Sequence, residues 1–423
     1  MEADRRMTRS FIWMNAAQFG GALNDNLFKL LVVFFLIALK GQAAASTVNA
    51  AIGVLFVAPF LLFLPAAGTL ADRCSKQRIL LVVKALEIVA MLLAVTAFAL
   101  RSAWIAYGVV FLMSTQSALF GPTKYGIVTE LVGTDRLARA NSLLVLYTYL
   151  AIIVGTALAP TVDIVLGGDY VVAAVICCGI AVAGWWAASR VERTPAMGGG
   201  RRISVLGVRV IWRTLRSIRH DRLLLLAVCS AAYFLLLGGY VQLNLIPFGL
   251  EMLGITEQQS AYLFLLAALG IGLGAWSVGR LSGKRIDLGL VPFGMLGVVL
   301  GSVGLYLQAG RLVMAAVWIF VLGVSAGFFV VPLEAFIQYR SPDQRRGEIL
   351  AAKGFLAWIG VLLAAGLLYV FAEVLRITPA QGFLTMGLLT LAWLAAAWAA
   401  VPGFRVRTLI RLRWMQRRCG WDG

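Results

Sequence analysis

The chain has 423 residues, 61% of them hydrophobic and 13% charged, with a formal net charge of +18. A soluble domain carries about 25% charged residues, and the charge-free runs at 48–71, 170–189 and 223–250 each suffice to cross a hydrocarbon core as a helix. Composition therefore excludes an ordinary soluble protein. The lack of short alternating segments excludes an outer-membrane barrel, and the fold class is all-α integral membrane.

Twelve spans are predicted, at roughly 11–39, 48–71, 79–100, 103–122, 142–166, 170–189, 223–250, 259–281, 286–308, 312–334, 349–373 and 381–401. The first carries Gln18, then Asn24, Asp25, Asn26 and Lys29. Its length and its charges argue against a cleavable leader. An ionisable group inside a span is costly and marks a functional candidate. Asp25 and Lys29 stand four residues apart and can pair on one helix face. The flanking asparagines point instead to a hydrated, substrate-facing site. Lys84 and Glu87 in the third span have the spacing of a structural pair. Lys124, Tyr125 and Glu130 follow Pro122 at the end of the fourth. Cys177 and Cys178 sit in an apolar run, packed or lipid-facing, and none of the five cysteines has metal-ligand spacing. Tyr240, Gln242 and Asn244 precede Pro247 in the seventh span, where a kink near a cavity is expected. Glu334 and Gln338 end the tenth span and Lys353 opens the eleventh; Glu334 and Lys353 are expected to interact.

Basic residues set the orientation. The amino-terminal segment, alternate loops, the 190–222 connection and the tail hold nearly all the arginines and lysines outside the spans. The opposite loops hold only Lys40, Arg101, Arg311 and Arg376. The positive-inside rule puts both termini in the cytoplasm of a bacterial inner membrane. The positive charge is thus a topology signal, and nucleic acid is not an expected partner.

The spans divide into two six-helix bundles, at 1–189 and 223–401. A basic cytoplasmic linker at 190–222, containing Gly198, Gly199 and Gly200, lies between them, and a basic tail follows at 402–423. From Ser204 the linker reads as amphipathic. Val208, Ile211, Trp212, Leu215 and Ile218 are expected on one face, Arg209, Arg213, Arg216 and Arg219 on another, as in a helix along an anionic leaflet. The halves echo each other. GTLADRCSKQR, from Gly68 to Arg78, follows the second span, and GRLSGKR, from Gly279 to Arg285, follows the eighth. Pro122 then Asp135 in the first half match Pro332 then Asp343 in the second. A parallel repeat of this kind is an architecture of secondary transporters.

The 68–78 segment resembles the loop signature of the major facilitator superfamily, G-x-x-x-D-R-x-x-[KR]-x-[KR]. That resemblance implies a gating role for Gly68, Asp72, Arg73, Lys76, Arg78 and Glu130. Asp72 would meet a helix N-terminus or an arginine, while Arg73, Lys76 and Arg78 would lie at the leaflet. The second copy has Gly283 near the place of the acid, so its latch should be weaker. AQFGGALNDNLFKLLVVFF at 17–35, GPTKYGIVTELVGTDRLARANSL at 121–143 and VPLEAFIQ at 331–338 resemble motifs of bacterial lysophospholipid transporters, and the likeness covers almost the whole chain. It implies return of lysophospholipids, notably lysophosphatidylethanolamine, from the outer to the inner leaflet. A cytoplasmic acyltransferase/acyl-carrier-protein synthetase would then reacylate them. The chain ends in a short basic tail, so that enzyme is not expected to be fused to it. The substrate-site candidates are Asn24, Asp25, Asn26, Lys29, Lys124, Tyr125, Gln242, Asn244, Glu334, Gln338 and Lys353, with Asp25 and Lys124 foremost for the headgroup. Glu334 and Lys353 replace residues that are neutral in the family, and Gln242 stands where some relatives carry a base.

Three other readings compete. A proton-coupled exporter of drugs or small amphiphiles would use Asp25, Glu130 or Glu334 as the proton carrier. A non-transporting scaffold would have no evident need of charges inside spans. A membrane enzyme is disfavoured, because the single histidine, His220, lies in the linker and no serine or cysteine has an evident base. Neither cofactor nor metal is expected.

Overall fold

The structure is a computed structural model describing residues 2–196, 207–283 and 286–401. Gly198–Gly200, Arg201, Arg202, Ser204, Lys284, Arg285 and the 402–423 tail lie outside the described residues. Among the described residues thirteen α-helices follow in chain order: α1 (Glu2–Lys40), α2 (Ala45–Arg73), α3 (Lys76–Ala99), α4 (Ala103–Leu131), α5 (Leu137–Val165), α6 (Tyr170–Ser189), α7 (Gly207–Ile218), α8 (Arg222–Pro247), α9 (Glu257–Leu281), α10 (Val291–Leu307), α11 (Leu312–Arg340), α12 (Arg346–Tyr369) and α13 (Pro379–Ala400). Among the described residues, all of these except α7 are long and apolar enough to cross a membrane, which gives 12 candidate spans.

The spans fall where hydropathy placed them, but several run further. The sequence reading ended the fourth span at 122 and the tenth at 334. Helices α4 and α11 instead continue through Pro122 and Pro332 to Leu131 and Arg340. Proline is tolerated inside a membrane helix because neighbouring groups re-satisfy the freed carbonyl. Lys124, Tyr125 and Glu130 therefore stand on a helix and not in a loop. At Pro247, where a kink was expected, α8 ends and a π-helical turn, Phe248–Met252, follows.

The chain forms two compact units. The first comprises Met1–Gly133, Leu150–Arg216 and Ser341–Phe355; the second, Thr134–Tyr149, Ser217–Arg340 and Leu356–Gly423. In the first, α3 and α6 meet through small residues. Ala90, Ala94 and Ala97 of α3 and Ala173, Ala174, Cys177 and Ala181 of α6 are buried in one cluster with Phe28, Phe35 and Phe98. Small side chains let membrane helices pack closely. Cys177 is thus a packed residue. A polar knot crosses this core. Lys84 Nζ lies 2.7 Å from Glu87 Oε2, as the three-residue spacing predicted, and Asn24 Nδ2 donates to Glu87 Oε1 at 3.0 Å.

In the second unit α9 and α11 cross through two facing glycine pairs, Gly270 with Gly274 and Gly323 with Gly327. A Cβ at Gly270 would sit 2.5 Å from the Phe320 carbonyl oxygen, and one at Gly327 2.5 Å from the Ala275 nitrogen. This small-xxx-small arrangement leaves room only for hydrogen. Tyr240, Phe248, Phe371 and Phe383 fill the other core of this unit.

Candidate substrate site and gate

Three consecutive residues of α1 turn to different neighbours, because successive side chains on a helix point about 100° apart. Asn24 is committed to the Lys84–Glu87 pair. Asp25 faces α4, where its carboxylate accepts hydrogen bonds from Ser117 Oγ at 2.6 Å and Gln116 Nε2 at 3.3 Å. Asn26 donates to the Ala22 carbonyl of its own helix at 2.8 Å. Asp25 and Asn26 are only half-buried. Asp25 and Lys29 form no ion pair among the described residues; the Lys29 ammonium lies 5.2 Å from the centre of the Phe56 ring on α2. The structure thus separates the two charges that the four-residue spacing would have joined. Gln116 and Ser117 were missed by sequence reasoning. The signal was the polar run from Ser114 to Ser117 inside an otherwise apolar span.

The same unit gathers two ammonium groups at one ring. Lys124 Nζ lies 5.1 Å and Lys353 Nζ 4.3 Å from the centre of Tyr125. Lys353 is buried and Lys124 half-buried. A cation over an aromatic face is held by the ring quadrupole, and two cations at one ring form a positive locus suited to a phosphate. The remaining candidates lie in the second unit. Glu334 is buried on α11. Gln242 is exposed, whereas Asn244, two residues on, is buried and donates to the Pro379 carbonyl at 2.8 Å, tying α8 to α13.

The loop signature forms a built contact. Asp72, 3% exposed, accepts the backbone N–H of Gly347 at 2.6 Å and of Glu348 at 2.9 Å. Those are first-turn amides of α12, which have no partner within their own helix, and the carboxylate also complements the positive end of the helix dipole. Gly68, one turn earlier, permits the approach: a Cβ there would lie 2.5 Å from Ala351 Cβ and 2.7 Å from the Gly347 carbonyl oxygen. Of the basic residues expected at the leaflet, Arg78 is exposed and Arg73 half-buried, but Lys76 is fully buried and ion-paired with Glu130 of α4. That expectation fails for Lys76 because a carboxylate on the neighbouring helix offers a better partner than water. Arg346, on the first turn of α12, donates to Thr129 Oγ1 at 2.7 Å and pairs with Asp343.

The second repeat reproduces the packing without the charge. Gly279 of α9 lies against Ser142 of α5, as Gly68 of α2 lies against Ala351 of α12, and Ser142 Oγ donates to the Ala275 carbonyl at 2.7 Å. Gly283, in the acid's place, has φ +56° and no side chain to reach a helix end. A neutral pair stands nearby. Asn141 Nδ2 donates to Gln338 Oε1 at 2.9 Å and Gln338 Nε2 to Asn141 Oδ1 at 2.6 Å, both side chains being fully buried. Gln338, a substrate candidate from sequence, is here bonded to a residue of the 121–143 motif.

Two results follow from this geometry. Asp72→Asn should lower transport while leaving membrane insertion intact, because it replaces two charge-assisted hydrogen bonds of about 1.5–3 kcal/mol each. Gly68→Leu should be worse, since the Gly347 backbone cannot give way. Initial rates unchanged in both at matched expression would refute the latch. Asn141→Leu should destabilise by about 1–3 kcal/mol, and Asn141→Leu with Gln338→Leu by less than the sum of the single losses. Thermal unfolding in detergent reads this; strictly additive losses would count against the pair.

Residues 14–365 match the Major Facilitator Superfamily, and the chain belongs to it. It is a multi-pass membrane protein of that transporter class. Its relatives include the lysophospholipid transporter LplT of Salmonella paratyphi A, to which it is 28% identical over 383 residues, covering 85% of this chain and 89% of that protein. The fold resembles the human organic anion transporter MFSD10 (TETRAN), with a TM-score of 0.74 at 15% identity over 93% of this chain and 99% of that one. It also resembles the E. coli fucose:proton symporter FucP, at TM-score 0.74 and 14% identity over 92% and 98%.

Proposed function

We propose that the chain carries lysophospholipids, such as lysophosphatidylethanolamine, across the bacterial inner membrane from the outer to the inner leaflet. The observation that carries this reading is that one unit holds both a half-buried carboxylate at Asp25 and two ammonium groups at Tyr125. A lysophospholipid offers a phosphate, often an amine, and one tail. Asp25 takes the ammonium, Lys124 and Lys353 the phosphate, and the apolar helix faces the tail. The similarity to LplT along most of the chain supports the same reading. Lys29 adds a further polar group to the first unit, and Glu334 and Gln242 are candidates within the second unit.

In this account the six-helix repeats at 1–189 and 223–401 alternate access to the site. The Asp72 contact with α12 forms in one state and breaks in the other. Both termini and the 190–222 linker face the cytoplasm, where the basic residues are concentrated. The product is then a substrate for a cytoplasmic acyltransferase/acyl-carrier-protein synthetase. Uptake of labelled lysophosphatidylethanolamine by spheroplasts should fall when the gene is deleted and return on complementation. Unchanged uptake together with new drug sensitivity would instead support a proton-coupled exporter on the same fold.

A further inference from the structure

Helix α7 has three faces, and the structure assigns each a different environment. Sequence periodicity put Val208, Ile211, Trp212, Leu215 and Ile218 together as one apolar face. The structure splits that set. Ile211, Thr214 and Ile218 are buried against the protein, at 4%, 0% and 7% exposure, while Val208 and Trp212 stand out at 68% and 69%. Arg209, Arg213 and Arg216 are exposed on the arc beyond them. Around the helix the order is therefore protein-facing, apolar and exposed, then basic and exposed.

The level at which α7 sits is fixed by its first residue. Gly207 packs on Pro65, where a Cβ would lie 2.9 Å from Pro65 Cγ. Pro65 precedes the end of α2 at Arg73 by two turns, so the contact lies about 12 Å down the axis of a membrane-crossing helix at 1.5 Å per residue. Helix α7 thus begins beside the span and not beyond its end, a level that suits the layer where lipid headgroups meet hydrocarbon. An exposed tryptophan and valine one turn apart suit that layer, in which tryptophan is enriched. The three guanidiniums one step round the helix reach phosphates, which arginine binds bidentately. A solvated loop explains the arginines but not the exposed Trp212 and Val208 beside them.

We propose that α7 is a docking surface for anionic phospholipid headgroups of the leaflet, with Trp212 and Val208 in the interfacial layer and Arg209, Arg213 and Arg216 on the phosphates. This is a site for resident membrane lipid, separate from Asp25, Lys124 and Lys353, and it stands whether or not the transported substrate is a lysophospholipid. All four outward residues named in the test are exposed, so their replacement should leave the fold intact.

The full-length protein is reconstituted in mixed phosphatidylcholine–phosphatidylglycerol nanodiscs, extracted in detergent, and its retained lipid measured by native mass spectrometry. The wild type should be enriched in phosphatidylglycerol. R209Q/R213Q/R216Q should lose that enrichment roughly tenfold or more, whereas R209K/R213K/R216K, which keeps the charge, should hold most of it. The emission difference between wild type and Trp212→Phe isolates Trp212, and lipid brominated near the headgroup should quench it. Equal enrichment in the wild type and the glutamine variant would overturn the proposal. So would Trp212 emission quenched by aqueous iodide and untouched by brominated lipid, which would leave this face in water for a soluble acidic partner.

Discussion

Lys84→Met should destabilise the protein by about 3–5 kcal/mol, the largest single loss expected in the first unit. Lys84 and Glu87 are 2% and 0% exposed in their side chains and lie 2.7 Å apart. Removing the ammonium leaves a buried carboxylate whose only other hydrogen-bond donor among the described residues is Asn24. Gly184 of α6 lies close over the lysine, where a Cβ would be 3.5 Å from Nζ, so water has little space to replace it. Lys84→Met with Glu87→Leu should recover most of the loss, because exchanging a whole buried pair for apolar side chains is often neutral. The check is the thermal unfolding midpoint in detergent. A double variant as unstable as the single one would mean that the pair contributes more than the relief of its own burial.

The second large effect concerns transport. Asp25→Asn should reduce lysophosphatidylethanolamine transport roughly ten- to a hundredfold, the equivalent of one charge-assisted hydrogen bond. It should spare lysophosphatidylglycerol, which has no amine. The substitution is gentle, since Ser117 and Gln116 can still bond the asparagine side chain. Lys124→Ala should harm both lipids, and Lys124→Ala with Lys353→Ala should harm them further, because both ammonium groups approach Tyr125. Initial rates into vesicles separate these outcomes. Equal losses for the two lipids in Asp25→Asn would assign Asp25 to proton coupling or structure. Full activity of the double lysine variant would remove the phosphate contact.

What the sequence made legible was local or repeated. Hydropathy placed the spans because each must bury its own backbone in lipid. The Lys84–Glu87 pair was legible because three residues on a helix is contact distance. The loop signature marked Asp72 for a helix N-terminus or an arginine, and the contact with α12 selects the helix end. Contacts between distant segments were not legible. Asp25 meets Gln116 and Ser117 across 91 and 92 residues, and Asn141 meets Gln338 across 197. No spacing rule selects those partners over Lys29 or a substrate. Lys76 illustrates a different limit, since a base beside a span reads as a leaflet contact until a carboxylate such as Glu130 is placed against it. For α7 the period gave amphipathicity, but only the burial in the fold separates the inward Ile211 and Ile218 from the exposed Val208 and Trp212.

The proposed substrate is a single-tailed phospholipid. Its most direct test is the movement of a labelled panel into vesicles containing the purified protein: lysophosphatidylethanolamine, lysophosphatidylglycerol, the corresponding diacyl lipids and a small amphiphilic cation. Both lysophospholipids should show saturable transport above protein-free vesicles, with the diacyl lipids and the cation left at background. Lysophospholipid rates equal to background, with the cation moved in response to a proton gradient, would contradict it.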